Sequence, residues 1–230
     1  KTEWVNHFKE IYRLTVQDSE NEQQVNESPL YIDELDHEIS TDEVRFAIRK
    51  LKTGKASGHD DILAEMLKVG QEHFVKFLTT LFNHVFSSGI FPDIWTKSVI
   101  VPIYKKGDVH CVDNYRGVSL LSIVSKCYTS ILNNRLYNWA EDCEKITESQ
   151  AGFRKGYSTT DHIFTLYAMT QKYLSKKGGK LYVVFVDLRR AFDSVRYSKL
   201  LDVLQKNGLS EHFTKAIMSM YKSVKAFVKI

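Results

Sequence analysis

The sequence has few cysteines and no long apolar run. Its three cysteines, Cys111, Cys127 and Cys143, form no Cys-x-x-Cys pair, so we expect buried thiols in a reducing compartment and no disulfide framework. No stretch approaches the ~18–20 apolar residues of a membrane span, and no secretory signal is present. We therefore expect an intracellular protein, in the nucleus or the cytoplasm, with no membrane and no disulfide-linked partner.

The sequence also has no large net charge and no P-loop motif. The 32 lysines and arginines against 28 aspartates and glutamates give a net charge of +4, whose sign fits a nucleic-acid partner without requiring one. Gly54-Lys55-Ala56-Ser57 has no leading glycine and no hydroxyl residue directly after the lysine, which excludes a P-loop. A hydrophobic content of 43% and a charged content of 26% are ordinary for a globular protein of one or two domains.

Hydrophobic periodicity predicts a series of helices and a few strands. Apolar residues recur at helical spacing in several segments. These are residues 4–12, the residues that follow the capping box Ser40-Thr41-Asp42-Glu43, residues 74–86 before Gly89, and residues 123–136, 161–174, 200–204 and 213–224. Residues 98–104 and 114–120 predict a hairpin, in which Pro102 indicates an edge strand or a bulge. The last residues, Val-Lys-Ala-Phe-Val-Lys-Ile, predict a further strand that is unfinished.

The most informative stretch is residues 181–195, Leu-Tyr-Val-Val-Phe-Val-Asp-Leu-Arg-Arg-Ala-Phe-Asp-Ser-Val. The β-branched and aromatic run after Gly178-Gly179 predicts a strand that is buried on both faces and ends at Asp187. A carboxylate at that position is costly to desolvate unless it is paired or holds a cation. Two interpretations of Asp187 stay open, a metal ligand or a cap of the next segment.

Three other loops combine cations with groups that suit phosphate. Lys105 and Lys106 begin the turn of the predicted hairpin and Arg116 lies on its returning arm, so both arms could close on a triphosphate. The alternative is an ordinary basic surface hairpin. Residues 149–162 contain glycines, cations, hydroxyls and an aromatic ring. The loop around Lys55 is rich in lysine, for which a solvated surface loop is the alternative.

Four of these segments resemble, in the correct order, motifs of the reverse transcriptases of non-LTR retrotransposons. Residues 185–193 resemble the first catalytic motif, with Arg190 in place of the usual lysine. Residues 51–65 resemble the Lys-Ala-Pro-Gly-Pro-Asp-Gly-Ile stretch, although Ser57, His59 and Asp61 replace its Pro, Pro and Gly.

The other two motifs lie between them in the chain. Asn114-Tyr115-Arg116-Gly117-Val118-Ser119-Leu120 is similar to Asn-Tyr-Arg-Pro-Ile-Ser-Leu, with Gly117 in place of a proline. Residues 150–154 match Gln-x-Gly-Phe-Arg, with Tyr157 where arginine is common. The resemblance covers roughly residues 48–230.

The resemblance implies a helix-rich α+β fold, namely the fingers and the first half of the palm of a right-hand polymerase, incomplete at the C-terminus. Residues 1–38 would form an N-terminal helix and polar linker, residues 39–175 a fingers-like region, and residues 176–230 a partial palm. The implied activity is RNA-directed DNA synthesis, which uses an RNA template, a DNA primer, deoxynucleoside triphosphates and two Mg²⁺ ions, or Mn²⁺ in their place.

The resemblance also assigns roles to single residues. Asp187 is the expected catalytic residue and metal ligand, assisted by the Leu188 carbonyl, and Phe192 is expected under the sugar of the nucleotide. The remaining nucleotide-binding residues are Lys105, Lys106 and Arg116. Contacts to template, primer or phosphate are expected from Lys55, Gln150, Gly152, Phe153 and Arg154.

The family's aromatic-x-Asp-Asp hairpin and the Gln-Gly loop before it are absent from the sequence. One carboxylate holds two Mg²⁺ ions poorly. We therefore expect the chain to be a piece of a longer polymerase and to be inactive by itself. The alternative is a catalytically inactive nucleic-acid-binding remnant of a decayed or co-opted retroelement, which the replacements at Ser57, His59, Gly117 and Tyr157 favour.

Overall fold

The computed structural model describes residues 2–16, 29, 31–188, 191–192 and 194–229. These residues form two compact units, one of Lys1–Trp139 with Phe192–Ile230 and one of Ala140–Ala191. Two groups of residues lie outside the described ones. They are Arg189, Arg190 and Asp193 of the segment 181–195, and residues 17–28 of the predicted N-terminal linker.

The described residues form a helix-rich protein with one small mixed sheet, so the predicted α+β class is confirmed. The elements are α1 (Thr2–Val16), α2 (Asp33–Asp36), α3 (Thr41–Lys50), α4 (Ala64–Ser88), β1 (Lys97–Tyr104), a 3₁₀ turn (Val112–Asn114), β2 (Tyr115–Leu120), α5 (Ile123–Asp142), α6 (Thr159–Leu174), α7 (Tyr197–Lys206), α8 (Glu211–Ser219) and β3 (Lys225–Val228). Among the described residues, no helix is both long and apolar enough to cross a bilayer.

Local chemistry sets the ends of α3 and α4. The predicted capping box is confirmed, because Ser40 Oγ accepts from the Glu43 N–H at 3.2 Å and the Glu43 carboxylate accepts from the Ser40 N–H at 2.8 Å. Gly89 ends α4 with a φ of +64°, a left-handed conformation that glycine adopts without strain.

The core of the larger unit lies between α4, α5 and the start of β1. Tyr128 is fully buried, and its ring centroid lies 5.5 Å from Phe82 and 5.9 Å from Trp95. Burial raises the pKa of the Tyr128 hydroxyl. The helical spacing of the apolar residues in 74–86 predicts that the whole aromatic stripe of α4 is core, and this prediction was wrong for Phe74 and Phe77, which are 39% and 63% exposed. These two residues lie one position before the buried row at 75 and 78, and therefore about 100° around the helix from it.

The sheet has the strand order β2-β1-β3, with β1 antiparallel to β2 and parallel to β3. The predicted hairpin and the C-terminal strand are therefore confirmed. β1 is the middle strand of the sheet, but β3 pairs with it only over Lys97–Ile100. At Pro102 the side of β1 away from β2 therefore has no neighbouring strand among the described residues, and the predicted edge position is confirmed there. Pro102 also occupies a non-hydrogen-bonded position opposite Gly117, where its missing N–H removes no bond to β2.

The run before Asp187 differs most from its prediction. Residues 181–188 form no strand, and Tyr182, Val184, Phe185 and Val186 are each more than 80% exposed. A strand needs a neighbour for its N–H and C=O groups, and no described segment pairs with this run. The prediction of a strand buried on both faces was therefore wrong for the described residues.

The cysteines also differ in part from their prediction. Cys127 is buried in α5, and burial raises the pKa of its thiol to about 12. Cys111 and Cys143 are exposed, so the prediction of buried thiols was wrong for these two. Cys111 lies in the loop of the hairpin and Cys143 directly follows α5, where neither side chain is covered.

Candidate nucleotide and nucleic-acid site

The turn of the β1–β2 hairpin is held by its own side chains. Asn114 Nδ2 donates to the Asp108 carbonyl at 2.9 Å, and the Tyr115 hydroxyl donates to the Val109 carbonyl at 2.9 Å. Gly107 has a φ of +96°, and the Asn114 side chain occupies the space that a Cβ would need there. The backbone around Lys105 and Lys106 is therefore ordered before any ligand binds.

The hairpin places two of its cations on one face. Ile103 pairs with Arg116, and the Lys105 N–H donates to the Asn114 carbonyl at 2.9 Å, which continues the same register. Because paired residues share a face of the sheet and alternate residues return to it, Lys105 and Arg116 are diagonal neighbours about 7–8 Å apart. Both are exposed, as is Lys106, and none has an acidic partner among the described residues. The arrangement suits a polyanion that spans the hairpin.

In the smaller unit, Arg154 is held by Glu141 at the end of α5 and by groups of its own loop. Its guanidinium donates to both carboxylate oxygens of Glu141, at 3.0 and 2.7 Å, and to the Thr147 carbonyl at 3.2 Å. The guanidinium also lies 4.6 Å from the centre of the Tyr157 ring. The hydrogen bonds to Glu141 raise the pKa of Arg154. Arg154 was predicted to contact template or phosphate, and in the structure its donors hold this loop together.

The neighbours of Arg154 are more accessible. Gln150, Gly152 and Phe153 are exposed, and the Phe153 ring is 89% exposed. Phe153 has a φ of +65°, a left-handed conformation that is rare for a bulky residue. Strained backbone of this kind is concentrated at functional sites. This loop therefore presents an aromatic face and open backbone to solvent.

Asp187, Leu188 and Phe192 lie on exposed, irregular chain. The Asp187 side chain is exposed and has no recorded partner among the described residues, and Leu188 and Phe192 are 73% and 75% exposed. Asp187 does not cap a helix among the described residues, because the next helix, α7, begins at Tyr197 and has Arg196 as its N-cap.

The oxygen donors of Asp187 and Leu188 suit Mg²⁺ chemically. The described residues contain no group of three acidic, histidine or cysteine side chains positioned to hold a metal ion. Asp187 and the Leu188 carbonyl therefore fit a contribution to a metal site, whereas a complete two-ion centre is not formed within the described part of the chain.

The Lys55 loop is anchored at both ends. Glu65 Oε1 accepts from the Gly54 N–H at 2.5 Å, while Gly58 packs so closely on the Leu121–Ser122 backbone that a Cβ there would lie 2.5 Å from it. Lys55 itself is exposed. The loop therefore has a fixed base and a solvated basic tip, beside the junction of β2 and α5.

Sequence reasoning missed the partners of these candidate residues. Trp4 and Phe8 of α1 contact the hairpin, and Glu141 at the end of α5 holds Arg154. Periodicity predicts α1 and α5 as helices, but it gives no indication of which distant segment each one touches.

Comparison with known proteins gives a consistent result. Residues 103–229, more than half of the chain, match the family model described as reverse transcriptase (RNA-dependent DNA polymerase). A probable RNA-directed DNA polymerase from transposon BS of Drosophila melanogaster is 29% identical over 183 residues, which are 78% of this chain and 20% of that protein.

Two further relatives are similar to the chain over comparable lengths. The RNA-directed DNA polymerase from mobile element jockey of Drosophila melanogaster is 31% identical over 166 residues, 71% of this chain and 18% of that protein. The Pol polyprotein from type-1 retrotransposable element R2 of Popillia japonica is 29% identical over 178 residues, 75% of this chain and 23% of that protein. The chain thus spans about a fifth of the length of the curated relatives it matches.

Proposed function

Because the chain belongs to the reverse transcriptase (RNA-dependent DNA polymerase) family, with relatives in non-LTR retrotransposons, we propose that it forms part of the active centre of an RNA-directed DNA polymerase. The complete protein copies an RNA template into DNA from a DNA primer and deoxynucleoside triphosphates. The observation that supports this most directly is the ordered hairpin with Lys105 and Arg116 on one face, and both residues lie within the span that matches the family.

The hairpin is proposed to bind the triphosphate of the incoming nucleotide. Arg116 supplies a planar set of N–H donors that matches phosphate oxygens in pairs, and Lys105 and Lys106 add compact positive charge. Phosphoryl transfer depends chiefly on positioning and charge neutralisation. Because the turn is ordered before binding, less conformational entropy is lost when the nucleotide binds.

Asp187 and the Leu188 carbonyl are proposed to contribute oxygen ligands to Mg²⁺, or Mn²⁺, in the complete polymerase. When bound, two such ions activate the primer hydroxyl and stabilise the leaving pyrophosphate. Phe192 is proposed to lie under the sugar, where its bulk excludes a 2′-hydroxyl. The exposure of Asp187, Leu188 and Phe192 leaves all three accessible to substrates and to further protein segments.

The family also suggests how the chain is divided. We propose that residues 39–175 belong to the fingers and residues 176–230 to the first half of the palm, after the N-terminal helix and linker at 1–38. Lys55 and the loop with Gln150, Gly152 and Phe153 would contact template, primer or phosphate. Arg154 would act there by holding its loop in shape through Glu141.

A second candidate is a nucleic-acid-binding remnant without polymerase activity. The observation behind it is the replacement of habitual family residues by Ser57, His59, Gly117 and Tyr157. At least three of the replacements make specific contacts: His59 stacks on Phe227 at 5.4 Å, Gly117 adjoins Phe8, and the Tyr157 hydroxyl donates to Glu148 at 2.9 Å. The replacements are thus accommodated in the fold, and a primer-extension assay with the full-length protein separates the two candidates.

Arg116→Ala in the full-length protein tests the proposed nucleotide site. We expect the nucleotide KM to rise about ten- to a hundredfold, the equivalent of a charged hydrogen bond of ~1.5–3 kcal/mol. Arg49→Ala, which removes an exposed arginine from α3, is the matched control and should leave KM unchanged. Equal KM values for the two variants would remove Arg116 from the site. The 230-residue chain alone should show no sustained incorporation of nucleotides.

A further inference from the structure

Helix α1 packs on the hairpin at the residues that flank Arg116. The Trp4 ring meets the Tyr115 ring edge-on, with centroids 4.7 Å apart, and the Phe8 ring lies against Gly117. Because Tyr115 and Gly117 alternate with Arg116 along β2, α1 covers the face of β2 opposite the Arg116 side chain. The helix thus contacts the strand on both sides of Arg116 and leaves the cation-bearing face open.

Gly117 is part of this contact because it has no side chain. A Cβ at this position would lie 2.6 Å from Phe8 Cε1 and 3.0 Å from Ile100 Cγ2, closer than carbon atoms pack. The space that a larger residue would need is therefore filled by Phe8, which is 3% exposed. A third contact fixes the turn, where His7 Nδ1 lies 3.4 Å from Asp113 Oδ1.

The outer half of the hairpin needs such support. β3 pairs with β1 only over Lys97–Ile100, so beyond that point β1 and β2 form a two-stranded ribbon. An isolated two-stranded hairpin is marginally stable in water, and packing against a helix is one way to stabilise it. Among the described helices, α1 supplies the contacts to Tyr115, Gly117 and the turn.

We propose that α1 is a positioning helix for the nucleotide-binding hairpin, with Phe8 and Gly117 as the contact that fixes the β2 backbone at Arg116. The inference rests on the proposed function of the hairpin and adds an element to it that lies a hundred residues earlier in the chain. Phe8 and Trp4 touch no substrate in this arrangement. They act through β2, by holding the Arg116 backbone in the geometry that the triphosphate requires.

A double-mutant cycle in the full-length protein tests the contact. Phe8→Ala and Gly117→Ala should each raise the nucleotide KM about three- to tenfold and change kcat much less, because each loosens a pre-ordered hairpin. Gly117→Ala should have a much smaller effect in the Phe8→Ala background, since the ring that the new methyl group meets most closely is gone and only Ile100 Cγ2, at 3.0 Å, still crowds it. Asn6→Ala, on the exposed side of α1, is the control and should leave KM unchanged.

Hydrogen exchange of the amides of residues 115–118, without nucleotide, reports the packing of α1 independently of catalysis. Phe8→Ala should speed this exchange, and thermal melts establish that each variant is folded. Faster exchange with an unchanged KM, or additive KM effects in the cycle, would overturn the positioning role while the proposed function stands. Unchanged exchange would show that α1 does not support the hairpin. If Arg116→Ala also left KM unchanged, the proposed nucleotide site itself would fail.

Discussion

Arg135 is the most extensively bonded buried cation among the described residues, and its removal tests how the N-terminal part of the larger unit is held. The Arg135 Nε and Nη2 donate to Glu43 at 2.7 and 2.9 Å. The same guanidinium donates to three carbonyls of α2 and the connection that follows it, those of Leu35 at 2.9 Å, His37 at 2.6 Å and Glu38 at 3.1 Å. A single side chain of α5 therefore holds α2, the connection that follows it, and Glu43 of the capping box of α3.

Arg135→Met keeps most of the apolar stem and removes every one of these donors. Removing one partner of a buried ion pair leaves the other charge uncompensated, which costs about 3–5 kcal/mol. Arg135 is 5% exposed, so water does not replace its bonds while the fold is intact. We therefore expect the free energy of unfolding of the larger unit to fall by about 3–5 kcal/mol.

The assay is urea unfolding followed by tryptophan fluorescence, since Trp95 and Trp139 are buried in this unit. Arg45→Met is the control, because Arg45 on α3 pairs with Asp42 and Glu72, whose side chains are 88% and 58% exposed. Exposed pairs of this kind contribute little. Equal shifts of the urea midpoint in the two variants would refute the argument.

The pH dependence gives the same test a second readout. Burial acts to raise the pKa of Glu43, but the bonds from Arg135 and Ser40 outweigh burial and bring that pKa below its usual value. Stability from Glu43 is thus present above its unfolded pKa of about 4.3 and is lost as the pH falls through the lower folded pKa. The difference in free energy of unfolding between the wild-type protein and Arg135→Met should therefore be largest at pH 7 and should narrow as the pH falls through the lowered pKa of Glu43.

Two further predictions concern single backbone positions. Phe153→Gly should stabilise the smaller unit by about 1 kcal/mol, because a left-handed backbone costs a non-glycine residue roughly 1–2 kcal/mol. The same substitution should weaken the binding of single-stranded RNA, measured by a fluorescence-anisotropy titration. A loss of stability, or unchanged RNA binding, would contradict the role given to Phe153. Gly58→Ala should lower the free energy of unfolding by about 1–3 kcal/mol, because its Cβ meets the Leu121–Ser122 backbone. Gly152→Ala is the control, because an added Cβ there would meet nothing within 4 Å, and it should lower the free energy of unfolding less in the same denaturation assay. An equal loss of stability in the two variants would show that the close approach at Gly58 is not the cause.

The helices and the hairpin were predictable from sequence because their determinants are local. The capping box at Ser40, the left-handed Gly89 and the apolar run in residues 98–104 each act within a few residues of the element they define. Local patterns of this kind are preserved in the fold.

The strand expected before Asp187 could not be decided in the same way. Its composition is that of a buried strand, but strand formation depends on a partner, and the described residues supply none. The same limit applies to Arg154. A basic residue in a glycine-containing loop suits phosphate, and only the fold shows that Glu141, thirteen positions earlier, already accepts its hydrogen bonds. The packing of Phe8 on Gly117 is likewise a contact between distant segments, and the local sequence of neither segment indicates it.

Primer extension by Asp187→Asn in the full-length protein, on an RNA template with Mg²⁺, tests the proposed function most directly. Because the Asp187 side chain is exposed and unpartnered among the described residues, the substitution should leave the melting temperature unchanged. Synthesis should nevertheless fall by orders of magnitude, since an amide is a poor substitute for a carboxylate as a ligand of Mg²⁺. Asp93→Asn, at another exposed aspartate, should retain full synthesis. Near-normal synthesis by Asp187→Asn would contradict the catalytic role of Asp187 and the proposed active centre with it.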